Sequence, residues 1–531
     1  MSFGELALKI GMLLVFFGIM IYVGFYCRRH STDVNGFVLG GRNVGPWLTA
    51  FAYGTSYFSA VIFVGYAGQF GWKFGLAATW VGIGNAIIGS LMAWVILGRR
   101  TRIMTQRLSS ATMPDFFGKR FSAPSLKIAA SVIIFIFMIP YTASLYNGLS
   151  RLFGMAFNID YSVCVIAMAA LTAVYVIVGG YMATAVNDFI QGLIMLVGIV
   201  AVIGAVLGSK GGFMASLNGL AQVQDATIPN GTVPGIFNSF FGPDPLSLLG
   251  VVLLTSLGTW GLPQMIGKFY AIKSEGAIHK GTVISTVFAM VVAGGCYFLG
   301  GFGRLFSAEI GVTEAGTPAG GYDAVVPAML SGLTPFLLAV VIILVLSASM
   351  STLSSLVLTS SSTMTLDLLK GHVIKEMDEK KQLLVMRLLI LVFIVISAAL
   401  AIFQARSSVA FIAQAMGISW GAMAGAFLAP FLYGLYWKRT TRNACWASMI
   451  FSVIFMTLDM LSNLKILNLN LGLLQSPINA GAFCMIVGLI LVPLVSILTK
   501  APDKAMVDDI FSSYERKVTV KAKTSIEAEE N

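Results

Sequence analysis

Residues 46–68 read PWLTAFAYGTSYFSAVIFVGYAG, and residues 246–271 read LSLLGVVLLTSLGTWGLPQMIGKFYA. Each is long and apolar enough to cross a hydrocarbon core of about 30 Å, for which roughly 20 helical residues suffice. Each also carries an interruption that a lipid-facing helix has no need of. Gly54, Thr55, Ser56 and Ser59 fall in the middle of the first, and Gly258, Gly261 and Pro263 in the second. Unwound backbone at membrane depth is tolerated only where it lines a cavity, and there its freed carbonyls and half-helix ends suit ions and charged solutes. Glycine and proline are also commoner in membrane helices generally, which accounts for either break taken alone. The matching positions of the two breaks favour the cavity.

Around these two stretches the chain is apolar almost throughout. Of 531 residues, 57% are hydrophobic and 11% charged, whereas a soluble domain carries about 25% charged residues to cover its surface. About thirteen runs are long enough to span, at 6–27, 46–68, 74–97, 126–153, 161–180, 185–207, 246–271, 283–302, 335–358, 383–403, 409–436, 444–461 and 478–498. They are too long and too evenly apolar for barrel strands of about ten alternating residues. The predicted fold class is an all-α polytopic membrane bundle.

The two interrupted spans lie five apart. Five spans counted from each give two equal blocks, and an odd number per block inverts the second relative to the first. The expected organisation is an extra helix and linker over 1–45, a first repeat over 46–207, an outside loop over 208–245 and a second repeat over 246–436. Two further helices follow over 437–499, then a charged tail over 500–531.

The net charge of +11 would suggest nucleic acid in a soluble chain, but here the basic residues follow the topology. With the N-terminus outside, the loops holding Arg28, Arg29, Arg99, Arg100, Arg102, Arg107, Lys119, Arg120, Lys273, Lys280, Lys370, Lys375, Lys380, Lys381, Lys438, Arg439 and Arg442 all fall inside. Outside loops keep few, among them Lys73, Lys210, Arg406 and Lys465. This satisfies the positive-inside rule and places the C-terminus in the cytoplasm. The first span is too long, and too basic on its far side, for a cleaved signal peptide. The five cysteines fall in or beside spans and imply no extracellular disulfide framework, and the three histidines lie in loops, so no histidine serves a metal or a proton relay within the bundle. No GxxxxGK[ST] string is present, because GLPQMIGK at 261–268 has the wrong spacing, so a pump with its own ATPase is not indicated. The expected partners are a lipid bilayer, a small solute and its coupling ion, with no nucleic acid and no obligatory protein partner.

The chemistry concentrates in LVLSASMSTLSSLVLTSSS at 344–362. Ala348, Ser351, Thr352 and Ser355 are spaced i, i+3, i+4, i+7 and share one helix face, with Ser354 beside it. Sodium suits a small cage of neutral oxygens, which hydroxyls and exposed carbonyls supply without burying a full charge. The same face would also serve as a small-residue packing seam. Asp188, in VGGYMATAVNDFIQG, lies just inside one end of a span, where a carboxylate is costly and commonly marks an ion path. A solvated first-turn acid is the alternative. Asp459 reads as interfacial.

Three stretches, FVLGGRNVGPWLTAF at 37–51, VGGYMATAVNDFIQG at 178–192 and SASMSTLSS at 347–355, resemble the sodium/solute symporter family, of LeuT-type fold, over most of the chain. The resemblance implies a bacterial plasma-membrane symporter coupled to Na+. It implies a first sodium site from the carbonyls of Thr55, Phe58 and Ala348 with the hydroxyls of Ser351 and Thr352. A second, as in some relatives, would use Asp188, Ser351, Ser354 and Ser355. Near the breaks, Ser56, Tyr57, Ser59, Tyr141, Thr259, Trp260 and Gln264 are candidates to line the solute cavity, each being equally able to serve in helix packing. The sodium/proline branch carries an acid where this chain has Tyr57 and aromatics where it has Thr255 and Thr259, although Tyr141 and Pro263 match. SYFSA at 56–60 and the GLP…AIKSEGAIHKG segment look more like the sodium/pantothenate branch. The solute class therefore spans pantothenate, proline and other small carboxylates or amino acids. Proton coupling through Asp188 is the alternative within transporters. An ion channel is disfavoured because VGYAG at 64–68 ends a full span rather than a re-entrant loop, and an enzyme because no acid, base and metal ligands converge within the spans.

Overall fold

The computed structural model describes residues 3–157, 159–370, 372–406 and 412–515. The last part of the expected tail, 516–531, and the first three residues of the span expected at 409–436 lie outside these. Among the described residues there are helices and isolated bridges but no strand.

Among the described residues, ten helices are long and apolar enough to cross a membrane, or eleven if one bent pair is a single span. The count of thirteen expected from the sequence is not matched helix for helix, because the helix of the run at 74–97 starts back at Val61 and two other runs follow one another without a loop. The runs at 161–180 and 185–207 join into Tyr161–Ser209 without an intervening loop. The joint is Gly180, whose φ of 56° and ψ of −150° take the chain out of the helical region. A β-carbon there would strain this backbone and lie 2.8 Å from the Phe37 ring.

Both expected breaks are present. The helix Pro46–Tyr57 stops at Phe58, which is extended at φ −99° and ψ 110°. Helix resumes as the π-helical turn Val61–Tyr66 and continues through Ala67–Phe74. The break thus falls a turn beyond the glycine, at Phe58 and Ser59, while Gly54 and Ala60 are both helical. In the second span Pro245–Leu257 tightens into Gly258–Trp260, then Leu262 is extended and Pro263 starts the half-helix Pro263–Ala271, bent by 40°. Proline has no N–H to give to the preceding turn, so it begins a helix where it cannot continue one.

The serine-rich helix Pro335–Thr363 is central. Thr334 caps it by accepting from Leu337 N, and 78% of its most apolar window is buried, against 22% for the N-terminal helix. It packs against Tyr161–Ser209, Pro124–Phe157 and Pro46–Tyr57, while Ile412–Tyr436, Arg442–Asn463 and Pro477–Leu498 form their own three-helix group. Helix Glu275–Gly300 crosses Ala67–Phe74 through a pair of glycines, Gly71 and Gly300, at backbone contact. Cys27, Cys164, Cys296, Cys445 and Cys484 are buried and unpaired. Asp459, expected at an interface, is fully buried and accepts from Asn463 Nδ2 at 3.1 Å.

The two ends of the bundle differ. At the basic end, Thr112 donates to Asp367 at 2.5 Å, and Lys127 bridges Asp115 at 2.8 Å and Asp367 at 3.3 Å. At the opposite end Arg304 donates to Trp72 O at 2.6 Å and to Asp225 Oδ2 at 2.9 Å, with its guanidinium over the Phe237 ring. Burial alone would raise the Asp225 carboxyl. Hydrogen bonds from the Thr227 hydroxyl and N–H, and from Arg304, outweigh it and hold the group below its ordinary value. A carboxyl depressed in the folded state adds stability that is present above its unfolded value of about 3.9 and is lost as pH falls through the folded value. We expect resistance of the 222–235 loop to proteolysis to hold from neutrality to about pH 5 and to decline below about pH 4. Arg304→Met should weaken that resistance at neutral pH and flatten the decline. An unchanged acid profile in Arg304→Met counts against the pair.

Candidate ion and solute site

The helix Pro46–Tyr57 ends with its last turn against the serine-rich helix. Because the chain turns extended at Phe58, carbonyls of that turn have no following N–H to accept from, and the end of the helix carries the negative pole of its dipole. Thr55 O receives two side chains from across the gap instead, Ser351 Oγ at 3.1 Å and Thr352 Oγ1 at 3.2 Å. The same hydroxyls reach Ala348 O at 3.2 Å and 3.1 Å. Four oxygens, two carbonyl and two hydroxyl, thus stand within about one hydrogen bond of each other. Thr55, Ser351 and Thr352 have no exposed surface and Ala348 has 2%. A hydroxyl that turns its proton to its own helix, as Ser351 does to Ser347 O at 2.9 Å, keeps both lone pairs for a cation. This donor set fits sodium: small, neutral and buried. The extended backbone at Phe58 frees its carbonyl from the helical ladder at the same level.

Of the residues expected at a second ion position, Asp188 is completely buried and Ser355 nearly so. Ser354 Oγ donates to Ser351 O at 2.9 Å, and the Ser351 hydroxyl belongs to the first cluster. Lys268, which the sequence reading passed over as part of an apolar span, reaches this position. Its Nζ donates to Ser355 Oγ at 3.0 Å and lies 3.7 Å from Asp188 Oδ2.

The solute candidates divide. Ser56 Oγ pairs with Ser355 Oγ at 2.7 Å. Tyr57 OH donates to Thr255 O and so joins the first interrupted span to the second, while Thr259 Oγ1 donates to Gly89 O at 3.1 Å and Trp260 Nε1 to Ile88 O at 2.9 Å, which fasten the second break to the 85–92 segment. Ser59 Oγ and Tyr141 OH are buried without a completed hydrogen bond, as is Trp420 Nε1. The Trp420 ring stacks on Tyr57 at 6.0 Å and meets Tyr141 edge-on at 5.9 Å. Aromatic rings beside unspent donors are the groups that a small amphipathic solute needs. Trp420 was not anticipated, because nothing near it in sequence marks it. Gln264 lies elsewhere, on a cavity of about 50 Å³ that runs toward the basic end beside Lys268, Thr184 and Ser362, and both its amide atoms are unpartnered.

An interrupted span that meets a serine-rich helix at a buried oxygen cluster, with a second interrupted span beside it in the same helical bundle, defines a multi-pass membrane transporter. Residues 37–452 match the sodium:solute symporter family, and the chain belongs to that family. It is 31% identical over 512 residues, 94% of each chain, to a protein of Staphylococcus aureus (strain JH9) named sodium/proline symporter. To the osmoregulated proline transporter OpuE of Bacillus subtilis (strain 168) it is 29% identical over 509 residues, covering 94% of this chain and 96% of the other. Family and relatives are transporters, not enzymes. Among solved structures, a sodium-coupled sialic acid symporter in a substrate-bound outward-open state superposes with a TM-score of 0.75 at 15% identity, over 94% of this chain and 99% of the other. A closed structure of Mhp1, a nucleobase-cation-symport-1 family transporter, gives 0.50 at 12% identity, over 90% and 98%. The neighbours share the LeuT-type fold.

Proposed function

We propose that this chain is a sodium-coupled symporter that imports a small organic solute across a bacterial plasma membrane by alternating access. The observation that carries this is the four-oxygen cluster of Thr55, Ala348, Ser351 and Thr352. A sodium ion there, with Phe58 O as a further ligand, would tie the broken helix to the serine-rich helix. The two repeats, 46–207 and 246–436, would move relative to one another about that point, with the N-terminus outside and the basic end in the cytoplasm. If ion and solute each favour the same arrangement, each raises the affinity for the other, and that shared preference is the coupling.

The solute would bind among Ser59, Tyr141, Tyr57 and Trp420. The names of the relatives favour proline, and a zwitterion or carboxylate would be served by these aromatic rings and hydroxyl donors. The departures at Tyr57, Thr255 and Thr259 keep pantothenate and other small carboxylates in the class. We expect proteoliposomes to accumulate one member of a panel (proline, pantothenate, short monocarboxylates, sialic acid, a hexose) under an inward sodium gradient and not under a proton gradient alone. Uptake driven by protons alone would transfer the coupling role to Asp188 and overturn the sodium reading.

A further inference from the structure

We propose that the ammonium of Lys268 is the resident cation of the second ion position, so that Asp188 and Ser355 hold a tethered charge and the transporter couples one sodium ion per cycle rather than two. The inference rests on the sodium reading above and concerns only the ion count and the identity of the second cation.

The surroundings of the ammonium are those of an ion site. Lys268 is 3% exposed, Asp188 0% and Ser355 3%. Nζ donates to Ser355 Oγ at 3.0 Å, stands 3.7 Å from Asp188 Oδ2, and lies over the Tyr181 ring at 5.3 Å. Neither oxygen of Asp188 completes a hydrogen bond among the described residues. A buried carboxylate so placed requires a cation, and Lys268 is the cation at hand. Two of the ligands that a free ion would need are already engaged: Ser355 Oγ accepts from the ammonium and pairs with Ser56 Oγ, and Asp188 Oδ2 faces the same Nζ at 3.7 Å. A sodium ion added beside Asp188 would stand within a few ångströms of a like charge in a medium that screens poorly.

The placement of Lys268 on the chain gives the tethered charge a part in the cycle. It belongs to Pro263–Ala271, the half-helix that follows the second break and is bent by 40° from its partner. Tilting that half-helix carries the ammonium toward or away from Asp188, and the cavity on the basic side, which Lys268 itself lines, gives it room to withdraw. Ser355, which receives the ammonium, is paired with Ser56, and Ser56 neighbours Thr55 of the sodium cluster. The charge is therefore joined through two hydroxyls to the helix end that binds the ion.

The test is the number of sodium ions bound by the purified full-length protein, counted with radioactive sodium at saturation. The expected result is one per wild-type chain, two per chain in Lys268→Gln, where Asp188 has lost its cation, and one again in Lys268→Gln combined with Asp188→Asn. Two ions on wild type, or one on a folded Lys268→Gln protein that keeps wild-type affinity at the first site, overturns the inference and leaves sodium coupling intact. No sodium on wild type overturns both readings. If Lys268→Gln is not recovered folded, the wild-type count decides, one ion supporting the inference and two refuting it.

Discussion

Replacing Ser351 and Thr352 together by alanine is expected to leave a folded protein whose solute uptake no longer responds to sodium. Each hydroxyl supplies one of four oxygens clustered between the two helices, and an ion–hydroxyl contact in a dry site contributes about 1.5–3 kcal/mol. Each single variant should therefore raise the sodium concentration for half-maximal uptake by about tenfold to a hundredfold. Ser349 is the control. It lies on the same helix, is equally buried, and donates to Val345 O at 2.8 Å, away from the cluster. Ser349→Ala should keep wild-type sodium dependence. Wild-type sodium affinity in either Ser351→Ala or Thr352→Ala would remove the cluster from consideration as the coupling site.

The second large effect concerns folding. A β-carbon on Gly71 would stand 1.9 Å from Gly300 O, and one on Gly300 would stand 2.1 Å from Ala67 O. Both obstacles are backbone, so no rotamer change relieves them, and two helices held at backbone contact would have to separate. Gly71→Ala or Gly300→Ala should each cost at least about 3 kcal/mol, the upper part of the range for overpacking. The measurement is thermal stability in detergent, with Gly204→Ala as reference. Gly204 also lies within a helix but has nothing within 4 Å of its would-be β-carbon. Equal melting temperatures for Gly71→Ala and Gly204→Ala would mean that the crossing is looser than the structure shows.

The second break was legible in the sequence and the first only approximately, for a physical reason. Pro263 removes a hydrogen-bond donor and so marks its break to the residue. Phe58 and Ser59, where the first span breaks, are neither glycine nor proline, so no residue type marks that position. The face of Ala348, Ser351 and Thr352 was readable from spacing alone, since a helix brings i, i+3 and i+4 together. Their partner, Thr55 O, was implied by the family resemblance and not by spacing, since a carbonyl on a distant helix leaves no periodic mark. Lys268 carries a signal of its own in the sequence, since a lysine inside an apolar span is as costly as an aspartate there, and each calls for a partner of the other's charge. Trp420 gave no such sign. It comes to Tyr57 and Tyr141 from helices far apart in sequence, and an aromatic in a membrane span is ordinarily unremarkable. The span count differs because two pairs of runs that hydropathy separates, 46–68 with 74–97 and 161–180 with 185–207, follow one another in the chain without a loop, the second pair turning at Gly180.

The five buried, unpaired cysteines have a practical consequence. Maleimide reagents need an accessible thiolate, and none of these side chains presents one at the surface. The natural chain is therefore already quiet toward thiol labelling. Val233, 47% exposed in the loop beyond Gly231, and Val373, 65% exposed at the basic end, are far from the oxygen cluster. Cysteines placed at these two positions would carry a donor and an acceptor dye on an otherwise native background, and single molecules could then be followed as they open to one side of the membrane and the other.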